Sequence, residues 1–324
     1  MIINHTFELS MTLDTDQFQR VFTTKASYLR ELGNEYLDMS LVEKGITVMY
    51  RDSHYKKKIR LLINAGLVVD DVSDTSKLIR KLDKRIAEYF DHKYRLSDFT
   101  LSGTYLTLDI NVGSRGRVAD YLKVLQRVGK VKGFSPVDYE FLEGVDNLCL
   151  SGNSNDIDFL LYNLERAVTG QLRSADAGRK QLQSASERTK GLLRAEVKLT
   201  KPKAVRSYTE ATDTSGQIVD LMKNSTDTFL ATFARVVPFG DFYKMGAAVE
   251  IVRSEVTDST MRRRMLRLLV LIPEKKSLHL AQKAMNCRNV EKVMEAFTKI
   301  HLSPIPISKR HEVKHLDNLY SYFL

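Results

Sequence analysis

The chain has 324 residues, of which 43% are hydrophobic, and a formal net charge of +10 at pH 7, so it can form two domains with ordinary cores and favours a polyanionic partner such as nucleic acid. Its two cysteines, Cys149 and Cys287, lie far apart without metal-ligand spacing, which excludes a disulfide framework and fits a reducing compartment. No apolar run reaches about 18 residues, and residues 3–13 alternate instead of forming a signal peptide, so we expect a cytoplasmic protein that does not bind membranes.

Alternation predicts the first element. Apolar residues of 3–13 fall on one face and polar residues on the other, as in a half-buried strand. We expect His5, on the apolar face, to be a satisfied core or edge histidine. Asp14 and Gln17 offer a capping box for a following helix. Strands are expected at residues 46–51 and 58–69, and a helix at 70–90.

A long strand is predicted at residues 99–112, with Asp109 on its polar face. Aspartate is disfavoured within strands, so its presence points either to a functional role or to an exposed sheet face. A helix at 117–128 follows, and then a segment with Lys130, Lys132 and Phe134. These three residues are candidates for DNA binding, with lysines at phosphates and a ring stacked on a base; a plain surface loop fits equally well.

Two further strands hold most of the candidate chemistry. Residues 160–165 predict a buried strand that ends near Tyr162, and residues 193–199 alternate so that Arg194, Glu196 and Lys198 share one face. Between them, residues 169–190 read as an exposed helix or insertion. A tyrosine, glutamates and an arginine on one sheet can transfer a phosphodiester, although an ordinary charged sheet face has the same composition.

The pattern predicts an α+β fold, in which a mixed or antiparallel sheet carries helices on one face. We assign residues 1–205 to this domain and residues 206–324 to a mainly α-helical, basic C-terminal domain. In the latter, Arg263 and Arg267 lie opposite the apolar stripe of a predicted helix at 261–272, where they either face solvent or contact DNA. The sequence shows no internal repeat.

In order, the Asp109 strand, the segment 161–165 and the strand 193–197 resemble the rolling-circle replication initiators of the plasmid Rep-trans type, with the related relaxases of conjugative elements and phage nicking proteins. Residues 302–306 and 316–320 also look like the end of similar proteins from mobile elements. The resemblance implies an enzyme that nicks one DNA strand, stays attached through a phosphotyrosine and rejoins the strand.

The resemblance assigns roles to individual residues. Tyr162 would be the nucleophile and Arg194 a phosphate contact. Asp109 and Glu196, with Glu165 standing in for a third glutamate, would bind Mg²⁺ or Mn²⁺. The chain departs from the family pattern at two positions, where Leu164 replaces the expected lysine and Ala167 the expected glutamate. The lysine's role would then pass to Lys198 or Arg166.

The implied partner is DNA, as a single-stranded or hairpin origin, with duplex contacts through the C-terminal domain. A homodimer and a host helicase are further expected partners.

Three alternatives stay open. A non-catalytic DNA-binding or regulatory protein would use the same scaffold, and the lysine missing at position 164 favours it. Tyr243, near Asp241 and Lys244, is a second-choice nucleophile. His311-Glu312-x-x-His315 matches the HExxH pattern of zinc metallopeptidases, but the basic residues around it oppose a cation.

Overall fold

The computed structural model describes residues 3–53, 57–153, 157–174 and 178–322. The strands are β1 (Asn4–Leu13), β2 (Leu29–Leu32), β3 (Glu35–Asp38), β4 (Ile46–Asp52), β5 (Lys57–Asn64), β6 (Thr100–Asn111), β7 (Phe134–Pro136), β8 (Asn147–Gly152), β9 (Ile157–Asn163), β10 (Leu192–Leu199), β11 (Phe242–Tyr243) and β12 (His315–Leu316). The helices are α1 (Thr15–Lys25), α2 (Ala65–Val68), α3 (Thr75–Tyr89), α4 (Arg115–Leu125), α5 (Leu164–Ser174), α6 (Arg179–Thr189), α7 (Pro202–Arg206), α8 (Thr214–Lys223), α9 (Ser225–Val236), α10 (Met245–Glu255), α11 (Ser259–Lys275), α12 (Leu278–Ala284) and α13 (Val290–Lys299).

Ten strands form one antiparallel sheet in the order β2-β3-β4-β5-β1-β6-β10-β9-β8-β7. This confirms the predicted α+β class. The sheet is larger than the sequence indicated, because β2, β3, β7 and β8 were not predicted.

The strand order is mirrored about the centre. β1 and β6 lie side by side at the middle of the sheet. Each is followed in the chain by a helix, α1 or α4, and then by four strands that add to the sheet from its outer edge inward. The fold therefore contains a repeat of topology that the amino-acid sequence does not display.

One face of the sheet is apolar and packs against helices. Side chains of α1, α3, α4, α8 and α9 join the apolar residues of the central strands in a continuous core. The ring of Phe233 on α9 contacts the ring of Phe159 on β9, with centroids 5.9 Å apart. Helices after residue 206 thus pack directly on the sheet, and the proposed division into two domains at residue 205 stays a prediction.

Local signals position several of these elements. The Asp14 side chain accepts a hydrogen bond from the Gln17 backbone N–H and so begins α1, as predicted. The strand predicted at 58–69 was too long, because Asn64 caps α2 and ends β5. None of the described helices combines the length and apolar character needed to cross a membrane.

Candidate active site

Three predicted site residues lie in one row across the polar face of the sheet. Arg194 of β10 is directly opposite Asp109 of β6 on one side and Tyr162 of β9 on the other. Directly opposed residues of antiparallel strands point to the same face. Glu196 and Lys198 follow at the next two same-face positions of β10. The alternation in the sequence therefore gave the correct grouping, although three strands from distant parts of the chain build it.

The Tyr162 hydroxyl donates a hydrogen bond to Glu196 Oε1 at 2.5 Å. Burial raises the pKa of this phenol well above its usual value, the negative charge of Glu196 raises it further, and the guanidinium of Arg194 lowers it by less. Tyr162 therefore keeps its proton at neutral pH. A phenol in that state becomes a nucleophile only if a base removes the proton, and Glu196 is already in contact with it.

Arg194 binds the Asp109 carboxylate with two parallel hydrogen bonds, from Nε to Oδ1 at 2.6 Å and from Nη2 to Oδ2 at 2.8 Å. Burial lowers the pKa of Arg194, but the bonds to Asp109 and its charge more than offset this, so the net pKa is raised. The bidentate geometry fixes the guanidinium beside Tyr162.

The ammonium of Lys198 lies 3.0 Å from Glu196 Oε2. It also faces the rings of Tyr105, Tyr139 and Phe141, with Nζ 5.4, 5.1 and 5.2 Å from their centroids. Ring faces attract a cation without neutralising it. Glu196 therefore has one oxygen at the Tyr162 hydroxyl and the other at a lysine.

A short segment, residues 137–146, covers Tyr162. Leu142 of this segment belongs to a small cluster that includes Tyr162 and Leu164, separate from the main core. The ring of Phe141 contacts that of Tyr162 edge-on, and the Tyr139 hydroxyl donates to Asp158 Oδ2 at 2.6 Å. As a result Tyr162 is only 4% exposed. The cover segment thus shields the phenol from solvent.

Glu165 does not join this group. It lies at the start of α5, where it is bound by Arg115 at 2.6–2.9 Å and by the hydroxyl of Ser186. The hydrogen bonds from Arg115 hold the pKa of Glu165 below its usual range. Glu165 thus serves to join α5 to α4 and α6.

The carboxylates do not form a metal site. In the described ranges, no group of three or more His, Cys, Asp or Glu side chains is placed to hold a metal ion. Asp109 is bound on both oxygens by Arg194, and Glu196 is bound by Tyr162 and Lys198. Mg²⁺ and Mn²⁺ need several oxygens free at once. The predicted set of Asp109, Glu196 and Glu165 therefore does not fit either ion.

A second charged group on the same face was not predicted. Glu8 of β1 accepts hydrogen bonds from Arg60 at 3.1 Å and from the Tyr105 hydroxyl at 2.8 Å, and Arg60 also reaches Glu35 at 2.9 Å. Burial acts to raise the pKa of Glu8, but the charge of Arg60 and the hydrogen bonds from Tyr105 and Arg60, together with the charge of Lys58, outweigh it and the net pKa is lowered. The signal was in the sequence, because Glu8 and Tyr105 occupy polar-face positions of alternating strands.

The predicted DNA-binding segment is only partly available. Lys130 and Lys132 are exposed. Phe134 is 1% exposed, and the guanidinium of Arg235 lies over its ring at 4.7 Å. The expectation that Phe134 stacks on a base is corrected by this burial, since its ring is part of the core.

Arg263 and Arg267 lie on α11, where both are exposed. They line a cleft together with Arg264 and with Arg288, from the turn between α12 and α13. Among the described residues, no carboxylate lies within ion-pair distance of these four arginines. Four cations on one cleft favour a polyanion. Arg288 was missed by the sequence reasoning, because its proximity to the arginines of α11 depends on how the helices pack.

Tyr243 lies at the edge of the small β11–β12 sheet, away from the Tyr162 row. Its ring contacts that of His315 in a tilted arrangement, with centroids 4.6 Å apart. His315 Nε2 is 3.4 Å from an oxygen of Asp241. His311 instead contacts Asp120 at 3.3 Å. His311 and His315 are not on a helix, so they do not share a face as the HExxH zinc motif requires.

The fold is an α+β protein whose antiparallel sheet presents Tyr162, two carboxylates and two basic side chains in one group on its polar face. Among solved structures, the chain is similar to that of a rolling circle replication initiator protein from Geobacillus stearothermophilus, with 11% sequence identity and a TM-score of 0.32, over 72% of this chain and 85% of that chain. No family model matches the sequence, and no curated protein matches it either.

Proposed function

We propose that this chain is a replication-initiation or mobilisation protein that cuts and rejoins one DNA strand through a phosphotyrosine intermediate. The observation that carries the proposal is the Tyr162 hydroxyl bonded to Glu196 beside the Arg194 guanidinium. These three groups supply a nucleophile, a base for its proton and a cation for the phosphate.

In the proposed reaction, the Tyr162 oxygen attacks the phosphorus of a phosphodiester and its proton passes to Glu196. The new bond between Tyr162 and phosphorus forms as the bond from phosphorus to one sugar oxygen breaks. Glu196 then returns the proton to that sugar oxygen, so a phosphodiester is exchanged for another and no water or energy source is consumed. Rejoining is the same step in reverse, which suits a protein that must close what it opened.

Arg194 would bind a non-bridging oxygen of the phosphate. Arg194 also forms two hydrogen bonds with Asp109, and these bonds fix the position and orientation of its guanidinium. The basic charge of the whole chain supports the retention of a DNA strand on this face, with an affinity that falls as salt rises. The cleft of Arg263, Arg264, Arg267 and Arg288 is the proposed contact to duplex DNA.

The experiment incubates the protein with single-stranded and supercoiled DNA from its own genetic neighbourhood and separates the products on denaturing gels. We expect a covalent protein–DNA band that disappears in Tyr162→Phe and persists in the matched control Tyr28→Phe, whose side chain is exposed on the far end of the sheet. A band that survives Tyr162→Phe but is lost in Tyr243→Phe would identify Tyr243, the second-choice residue, as the nucleophile.

A second candidate function is a non-catalytic DNA-binding protein on the same scaffold. The specific observation in its favour is the burial of Tyr162 beneath the cover segment 137–146. Salt-sensitive DNA binding with neither a nick nor an adduct, under all conditions of the same gels, would select it. Self-association and recruitment of a host helicase stay predictions in either case.

A further inference from the structure

The charges around Tyr162 are already matched within the chain. Arg194 occupies both oxygens of Asp109, and Lys198 occupies the one oxygen of Glu196 that Tyr162 does not use. A divalent ion would have to displace a basic side chain from each carboxylate, and the cost of leaving a displaced charge in a half-buried site is high. The site therefore contains its own cations.

Lys198 is placed to act on the same phosphate as Tyr162. Its ammonium and the Tyr162 hydroxyl contact the two oxygens of one carboxylate, so a phosphate that reaches the phenol also lies beside the ammonium. The three rings around Nζ hold the ammonium in position without engaging it in a second ion pair.

Arg166, the other basic residue expected to take the role of the missing lysine, pairs with a different carboxylate. Arg166, at the start of α5, binds Asp146 at 3.1 Å, and its side chain is 59% exposed. Leu164 lies in the apolar cluster beneath the cover segment and carries no charge. Of the two basic residues expected to take the role of the missing lysine, Lys198 is thus the one that the fold brings to Glu196.

We infer that Lys198 is a catalytic residue of the proposed nicking reaction, supplying the cation that a divalent metal would otherwise supply; this inference rests on the proposed function. Lys198 donates a hydrogen bond from Nζ to a non-bridging phosphate oxygen as negative charge accumulates there. The Tyr162–phosphorus bond forms, the phosphorus–oxygen bond to the leaving sugar breaks, and the proton travels from Tyr162 through Glu196 to the leaving oxygen. Lys198 keeps its own protons throughout.

Two of the three aromatic rings that face the Lys198 ammonium, those of Tyr139 and Phe141, belong to the cover segment. Movement of that segment therefore exposes the nucleophile and the cation in one event. In the closed structure both are shielded, with the Lys198 side chain only 15% exposed.

The test measures the rate of adduct formation by the full-length protein on the same DNA, in excess chelator and again in Mg²⁺ or Mn²⁺. We compare the wild type with Lys198→Met, which keeps the length of the side chain, with Lys198→Arg, and with Lys201→Met as a matched loss of charge. DNA affinity and thermal unfolding of each variant are measured alongside, since a merely structural role would change those instead of the rate.

We expect the wild type to form the adduct in chelator, Lys198→Met to lose about a hundredfold in rate, and Lys198→Arg to retain most of it. Binding and unfolding of Lys198→Met should stay close to wild type. A wild type that is active only with divalent metal, or a Lys198→Met as fast as wild type in chelator, would overturn the role of Lys198 while leaving the proposed function intact. If the wild type formed no adduct in any condition, both the role of Lys198 and the proposed function would be contradicted.

Discussion

His5 makes the stability of this protein depend on pH. The side chain lies on the apolar face of β1, where it is 6% exposed. Within the part of the chain that the structure describes, neither ring nitrogen has a hydrogen-bond partner, so the sequence-based expectation of a satisfied histidine was wrong. Burial lowers the pKa of His5 from 6.5 to about 4.

The sign and size of the effect follow from that difference in pKa. Well above pH 6.5 the ring is neutral in both the folded and the unfolded chain, so His5 adds no pH dependence to the free energy of unfolding there. As the pH falls from 6.5 to about 4, the unfolded chain binds a proton that the folded chain refuses, so the free energy of unfolding decreases. One pKa unit corresponds to about 1.4 kcal/mol, which makes the full loss about 3 kcal/mol.

Replacement of His5 by Leu, which has a similar volume and no titratable group, should remove this loss. Chemical denaturation from pH 7.5 to 4.5 would measure the free energy of unfolding of both proteins, and their difference isolates His5 because all carboxylates titrate in both. His92→Asn, at an exposed position, is the control and should follow the wild type. Parallel curves for the wild type and His5→Leu over this range would refute the reasoning, as would an ordinary His5 pKa measured by NMR.

Three further predictions concern the site and its surroundings. Tyr139→Phe keeps the ring but removes the hydrogen bond to Asp158, which contributes about 1 kcal/mol. The cover segment should therefore open more often, and the rate of adduct formation should rise about fivefold. An unchanged rate would mean that opening does not limit the reaction. A double-mutant cycle of Asp109→Asn and Arg194→Gln should give a coupling of about 1–3 kcal/mol in thermal unfolding, and additive effects would contradict a direct pair. The double variant Arg263→Gln with Arg267→Gln should weaken duplex binding and reduce the slope of log affinity against log salt by about 2. The control Arg20→Gln with Arg80→Gln removes the same charge outside the cleft and should change this slope less. Equal changes in the two double variants would show that the cleft does not contact the duplex.

The sequence predicted the elements that carry strong periodic signals. Alternation located β1 and β10, helical spacing located α3 and α11, and the Asp14 cap placed the start of α1. The grouping of Arg194, Glu196 and Lys198 on one face followed from a period of two. Short edge strands such as β2 and β7 were missed because three or four residues give no measurable period and depend on their neighbours for pairing.

The contacts between the site residues were harder to predict from the sequence than the strands that carry them. Asp109 and Arg194 could each be placed on a strand, but only the register of β6 against β10 makes them a bidentate pair. Glu165 was assigned to the site from its spacing to Tyr162, yet β9 ends at Asn163 and the helical turn that follows directs Glu165 toward Arg115. Phe134 shows the same limit, since a lysine- and glycine-rich segment gave no indication that its ring is buried.

The mirrored strand order has an evolutionary and a stoichiometric consequence. Two copies of a five-stranded unit that paired through their first strands would produce this sheet, and fusion of the copies would free each to diverge. Arg60 on β5 lies opposite Met49 of β4, as Arg194 on β10 lies opposite Tyr162 of β9. The residue opposite the arginine in the first half therefore carries a thioether, which cannot attack phosphorus, and the two halves of the sheet do not carry equivalent centres. If Tyr162 is the nucleophile, as proposed, a reaction with two successive cuts requires either a second molecule or the reuse of Tyr162 after its first strand has been released.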